Sequence, residues 1–281
     1  MAKFGAHSFL WIDQWTTEKG NYAINAAAEM GFDYVELPLL RPDEFEGEIH
    51  KKVLRDAGIE AVASLGLPEE LHMPENPEGA KQFLYKALQK LQDAGGTYLC
   101  GCIAYTIGKF TGQPPTKEER QIVMDTLGEV AAKAKTMGMT LGLEVVNRNE
   151  GYLYNTLGDA REAILAIGAD NLNLHADTYH MNIEEEGFYN PLVETADVLA
   201  YIHMSESHRG LIGTGTVNWD EVFRGLKDGN YQGPLTLESF TSINPDITAA
   251  TKLWRAPKYT PEVFARKGLE FLRSNAAKYN L

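Results

Sequence analysis

Cysteine is scarce in this chain: 281 residues hold two, Cys100 and Cys102, in "LCGCIA". Two cysteines cannot build a disulfide framework, and no Cys/His metal pattern surrounds them. They read as small buried hydrophobes on one face of a strand. Basic residues are outnumbered, 26 Lys and Arg against 39 Asp and Glu, for a net charge of −13. That balance argues against a nucleic-acid partner, because backbone phosphates need a basic footprint. Long apolar runs are missing too. None approaches the roughly 20 residues of a membrane span, so no membrane partner is expected. The opening "MAKFGAHSFLW" has one lysine, and His7 and Ser8 interrupt its apolar stretch. It reads as a first strand and not as a signal peptide, and with so few cysteines the expected compartment is the cytoplasm. No GxGxxG follows that strand, so a dinucleotide-binding fold gains no support.

What is present is a regular alternation. Strand-like runs recur at 3–11, 33–39, 60–67, 97–104, 140–146, 172–177, 199–205 and 234–240, with helical segments between them. "PEGAKQFLYKALQKLQDAGG" sets Phe83, Leu84, Ala87, Leu88 and Leu91 at helical spacing and stops at Gly95 and Gly96. Thr116 and Glu119 form a capping box, Asn218 and Glu221 repeat the device more weakly, and Thr260 with Pro261 starts the last helix. Strands alternating with helices imply a parallel sheet, and the length matches the roughly 250 residues of a (β/α)8 TIM barrel. A doubly wound open sheet is the competitor. No linker or low-complexity tract appears, so residues 1–281 are expected to be one catalytic domain.

Buried parallel strands should be nearly continuous apolar runs. The last four are not. Near their C-terminal ends stand Glu144, Asp177, His203 and Glu238. Side chains alternate with period two along a strand. If Leu141, Leu143, Leu172, Leu174, Ile202, Leu235 and Leu237 face the helices, the four polar groups point to the barrel axis. They recur about one βα unit apart, so they meet at the C-terminal mouth, where active sites of this fold sit. Three carboxylates and an imidazole converging there must raise their pKa values or hold a cation. A mostly oxygen donor set suits Mn²⁺, with Co²⁺ or Mg²⁺ as substitutes. The alternative is four unrelated polar residues, each hydrogen-bonded in its own loop.

Further polar groups follow these strands: Glu150 in "NRNEGY", His180 in "DTYHM" and Arg209 in "SESHRG". Loops after barrel strands are where substrate contacts are expected. His7 on the first strand could face the mouth. His175 lies one layer below Asp177 and reads as a core or supporting histidine. His50, His72 and His208 read as surface residues, and the acids at 184–186 as a solvated helix start.

The stretches "LEVVNRNE", "DTYHMNIEE", "HMSESHRG" with "GTGTVNWDEVF", and "LTLESF" resemble the ketose 3-epimerases, the D-tagatose and D-allulose (D-psicose) 3-epimerase family of the xylose-isomerase-like TIM barrels. Order and spacing agree from about residue 140 to 240; the first half matches in barrel pattern only. The resemblance implies that Glu144, Asp177, His203 and Glu238 ligate the metal and that Glu144 and Glu238 are the acid/base pair. It also implies that Glu150, His180 and Arg209 hold the sugar near C1 to C3, with Phe240 in the apolar wall at its far end. A free ketose is the implied substrate, and a homodimer or homotetramer the implied assembly. "GCIAYTIGKF" lacks the tryptophan that better-known members carry after strand four, so their substrate preference does not transfer. The closest rival is an aldose–ketose isomerase of hydroxypyruvate or sugar-phosphate type on the same tetrad. No glycine-rich phosphate nest is evident, which favours unphosphorylated sugar. A DNA-repair endonuclease on the same barrel would need a basic groove and more histidines. A non-catalytic sugar-binding barrel is the third class.

Overall fold

The eight apolar runs become eight parallel strands that close into a barrel in sequence order. The computed structural model describes residues 2–241, 248 and 251–281. The strands are β1 Phe4–His7, β2 Tyr34–Pro38, β3 Glu60–Gly66, β4 Tyr98–Cys102, β5 Thr140–Glu144, β6 Leu172–Asp177, β7 Leu199–Met204 and β8 Leu235–Leu237. Between them run α1 Thr17–Met30, α2 Gly47–Ala57, α3 Pro77–Asp93, α4 Lys117–Thr136, α5 Leu157–Ile167, α6 Thr178–Glu184, α7 Tyr189–Glu194 and α8 Trp219–Asp228. The last helix, Pro261–Tyr279, follows β8.

Helix starts follow local chemistry. Thr116 Oγ1 accepts from Glu119 N while the Glu119 carboxylate accepts from Thr116 N, closing the capping box that opens α4. Asn218 caps α8 through its side chain, but Glu221 answers to the Asn218 side-chain amide, not to its backbone. Leu141, Leu143, Leu172, Leu174, Ile202, Leu235 and Leu237 all sit in the main core between strands and helices. Their alternation therefore turns the intervening residues inward. Inside the barrel below the mouth, Tyr34, Cys100 and Tyr201 pack as a separate buried cluster. Gly101 has φ +97°, and a Cβ there would lie 2.3 Å from the Leu65 carbonyl oxygen, so only glycine fits between the two cysteines. Both cysteines are free and buried, as their composition implied.

Several strands end sooner than the apolar runs do. β1 stops at His7, whose Nδ1 accepts from Phe9 N and starts a short 3-10 turn over Ser8–Leu10. β8 stops at Leu237, so Glu238 and Phe240 lie just past it. At β1 the ladder ends where a side chain takes over as partner for the backbone. That is also where the chain leaves the barrel wall and enters the mouth.

Candidate active site

Register sets the depth of each polar group. Asp177 pairs with His203 across β6 and β7, and Glu144 pairs with His175 across β5 and β6. Asp177 has two jobs at the end of its strand. Its Oδ1 accepts from Tyr179 N at 2.7 Å, capping α6, which leaves Oδ2 to face the mouth. His203 Nδ1 lies 3.5 Å from Glu238 Oε1 and 3.7 Å from Glu144 Oε1, so the imidazole sits between the two glutamates. β5 and β8 are separated by β6 and β7 in the barrel order, which brings those glutamates in from different sides.

Arg209 threads through the acids. Its Nη1 donates to Asp177 Oδ2 at 3.0 Å and to Glu238 Oε2. Its Nη2 is 4.0 Å from Glu150 Oε2, and its guanidinium lies 3.9 Å from the centre of the Tyr179 ring. Arg209 is 5% exposed and holds φ +56°, a left-handed conformation that costs a non-glycine residue energy. The loop forces it. The buried Glu206 carboxylate accepts from Ser207 N, Gly213 N, Val217 N and Trp219 Nε1, and Ser239 Oγ donates to the Arg209 carbonyl.

His180 Nδ1 accepts from Asn147 N at 3.0 Å, and its Nε2, at the mouth, lies 3.2 Å from Arg209 Nη2, a group that can only donate. Burial, with Arg209 beside it, holds this imidazole well below its usual range, so it stays neutral. Asn147 also donates to Glu150 Oε1 at 3.2 Å. Burial pushes Asp177 up to about 7 against the pull of Arg209, with Glu238 adding to the push. Burial likewise lifts Glu150 to about 7 against Arg209 and Asn147, and lifts Glu144 against the pull of His203.

The donor set suits a divalent cation. His203 Nδ1 is buried without a hydrogen bond among the described residues, and Asp177, His203 and Glu238 offer donor atoms within 4.8 Å of one another. Two further overlapping groups of that kind, Glu144 with His175 and His203, and Glu144 with Asp177 and His180, bring in the remaining glutamate. Oxygen-rich sites with one imidazole match Mn²⁺, Co²⁺ or Mg²⁺ chemistry. A cavity of about 1080 Å³, its open mouth included, lies over these residues and is walled by Phe9, Trp15, Ile107, Val146 and Phe240.

A family model described as the xylose isomerase-like TIM barrel matches residues 24–275. A ketose 3-epimerase of Arthrobacter globiformis is 36% identical over 259 residues, 90% of this chain and 89% of the relative. This chain belongs to the ketose 3-epimerase family. It is thus an epimerase, an enzyme of the isomerase class. An L-ribulose 3-epimerase of Methylomonas sp. (strain DH-1) is 35% identical, with 96% of each chain covered. The crystal structure of a Methylomonas sp. D-allulose 3-epimerase in complex with D-allulose superposes with a TM-score of 0.94 at 35% identity, covering 98% of this chain and 97% of that one.

In this epimerase every residue that the sequence offered as a metal or sugar contact lines or borders one mouth. Glu144, Glu150, His180, His203, Arg209, Glu238, Phe240 and His7 line the cavity, and Asp177 stands behind Arg209. Three expectations need correction. His50 is fully buried, with Trp15 and Phe45 against its ring and Asn21 bonded to Nδ1. His72 is buried as well, accepting from Thr106 N and lying 3.3 Å from the Tyr152 hydroxyl. The acids at 184–186 do not start a helix: α6 ends at Glu184, which pairs with Arg148, and Glu185 accepts from Leu157 N at 2.8 Å. His208 is exposed, as expected.

One buried acid carried a signal that strand-end reasoning passes over. Glu36, in "DYVELPL", is a lone carboxylate in an apolar strand, like the others, but it stands in mid-strand. It is fully buried beneath the site. No described helix is long and apolar enough to cross a membrane.

Proposed function

We propose that the enzyme inverts C3 of free ketoses, such as D-fructose and D-allulose, in a metal-dependent reaction with Glu144 and Glu238 as acid and base. The supporting observation is the pair of glutamates that face His203 Nδ1, at 3.7 Å and 3.5 Å, from strands on different sides of the mouth. Asp177, His203 and the two glutamates would hold the cation, Mn²⁺ by preference, with Co²⁺ or Mg²⁺ in its place. When bound, the ion would polarise the ketone and stabilise an enediolate. Inversion needs a proton removed from one face of C3 and another delivered to the opposite face. Two carboxylates flanking the carbon do this without either one moving. The direction of reaction decides which acts first.

His180 would meet a sugar oxygen through Nε2, and the Arg209 guanidinium would steady the negative charge that develops beside it. Glu150 would hold the sugar hydroxyls next to these two. Phe240, with Phe9 against it at 6.2 Å between ring centres, would wall the far end of the sugar, with His7 at its edge. Residues 1–281 would act as one catalytic domain, in the cytoplasm and as a homodimer or homotetramer.

Two outcomes follow here. Removing metal with EDTA should abolish interconversion of D-fructose and D-allulose, and adding Mn²⁺ should restore it; turnover that survives exhaustive chelation contradicts the metal reading. Mn²⁺ affinity should also fall as pH drops from 8 to 6. A ligand must be deprotonated, and Asp177 titrates at about 7 in the ion-free protein, with Glu144 shifted the same way. Below that pH the cation must displace a proton, at a cost of about tenfold in affinity per pH unit for each one displaced. Calorimetric titrations at pH 8, 7 and 6 measure it, and a flat profile would contradict the assignment.

A further inference from the structure

We propose that Glu36 is a positioning residue for His203, fixing the ring with its proton on Nε2 and its bare Nδ1 turned toward Glu144 and Glu238. The inference rests on the reading that His203 is a metal ligand. His203 Nε2 lies 2.8 Å from Glu36 Oε2, well within hydrogen-bond reach. Ionised, Glu36 is an acceptor only, so the proton of that bond must come from the ring nitrogen. When the ring is neutral, as a metal ligand must be, Nδ1 carries the lone pair, at 3.5 Å from Glu238 and 3.7 Å from Glu144.

The carboxylate is itself held in place. Tyr201 donates its hydroxyl to the same Oε2 at 2.6 Å. The other oxygen, Oε1, is 3.6 Å from His7 Nε2. Glu36 stands on β2 and both of its main partners on β7, so the bonds reach across the inside of the barrel. The His175 ring meets the His203 ring edge-on with centres 4.2 Å apart, which fixes the plane in which Nδ1 points. A buried acid linked to a site imidazole orients that ligand and raises its basicity, and its loss typically weakens metal binding about 10- to 100-fold.

The test compares wild type with Glu36→Gln. Glutamine keeps the shape, and its oxygen can still accept from Nε2 and Tyr201, but it lacks the negative charge that holds the proton on Nε2 and raises the basicity of Nδ1. Metal-free proteins are titrated with Mn²⁺ by calorimetry and melted without metal. We expect Mn²⁺ affinity to fall at least about tenfold in Glu36→Gln, with the metal-free melting temperature within a few degrees of wild type. Unchanged affinity would overturn the inference, as would a lower melting temperature with normal affinity. A second measurement needs no variant: ¹⁵N-histidine NMR of the wild-type protein with Mg²⁺ should find His203 protonated on Nε2 alone. A proton on Nδ1 would overturn it. If wild-type protein binds no Mn²⁺ at all, the metal reading itself fails, and that result is distinct from equal binding by both proteins.

Discussion

Glu238→Gln should lower epimerisation at least about a thousandfold, the scale expected for losing a positioned acid or base. Glutamine keeps the volume and one oxygen that can still face a cation, but it cannot carry a proton back and forth. The loss is therefore one of chemistry on one face of the sugar, not of the barrel. Glu238 lies just past β8 and Glu144 at the end of β5, so in the proposed reaction removing one would leave the other on its own side of C3. Glu238→Gln should still exchange the C3 proton of one epimer with solvent deuterium while forming almost none of the other. Glu144→Gln should do the same with the opposite epimer. Proton NMR in D₂O reads both quantities in one tube. Full turnover in Glu238→Gln would remove it from the acid/base pair.

Arg209→Lys should cost at least about 100-fold in kcat/KM, since a compact ammonium cannot replace a planar fork at a multidentate site. Arg209 reaches Asp177 and Glu238 through one nitrogen and lies beside Glu150 and His180 with the other, while its face stacks on Tyr179. Lysine preserves the charge among the acids, so folding should survive. What disappears is the simultaneous hold on both walls of the mouth. We expect both a higher KM and a lower kcat, because in the proposed reaction the guanidinium would act on bound sugar and on the charge that forms in it. A variant with normal kcat/KM would place Arg209 outside the sugar's contacts and reduce it to a structural counter-ion.

The barrel was readable because buried parallel strands leave a coarse trace: in the last four, leucines or isoleucine at alternate positions and a polar residue where the strand reaches the mouth. Leu172 and Leu174 facing the helices turn Asp177 toward the barrel axis, a consequence of strand alternation alone. The same logic picked out Glu144, His203 and Glu238. It passed over Glu36 because a mid-strand acid is legible only once its partners across the barrel, Tyr201 and His203, are known. The burial of His50 and His72 is likewise long-range, made by Trp15 and Phe45 in one case and Tyr152 in the other. Arg209 sat in a loop that reads as exposed. Its burial depends on the Glu206 carboxylate gathering four N–H groups, a fold-back that no local periodicity records. Glu184 and Glu185 misled for a similar reason, since their partners Arg148 and Leu157 come from the loop and helix after β5.

The most direct test of C3 inversion is isotopic. D-fructose is incubated with the Mn²⁺-loaded enzyme in D₂O, and the recovered sugars are examined by NMR. Inversion at C3 by two glutamates predicts D-allulose carrying deuterium at C3, with the C1 protons untouched. Deuterium at C1 alone, with an aldose as product, would contradict it and assign the same residues to an aldose–ketose isomerase.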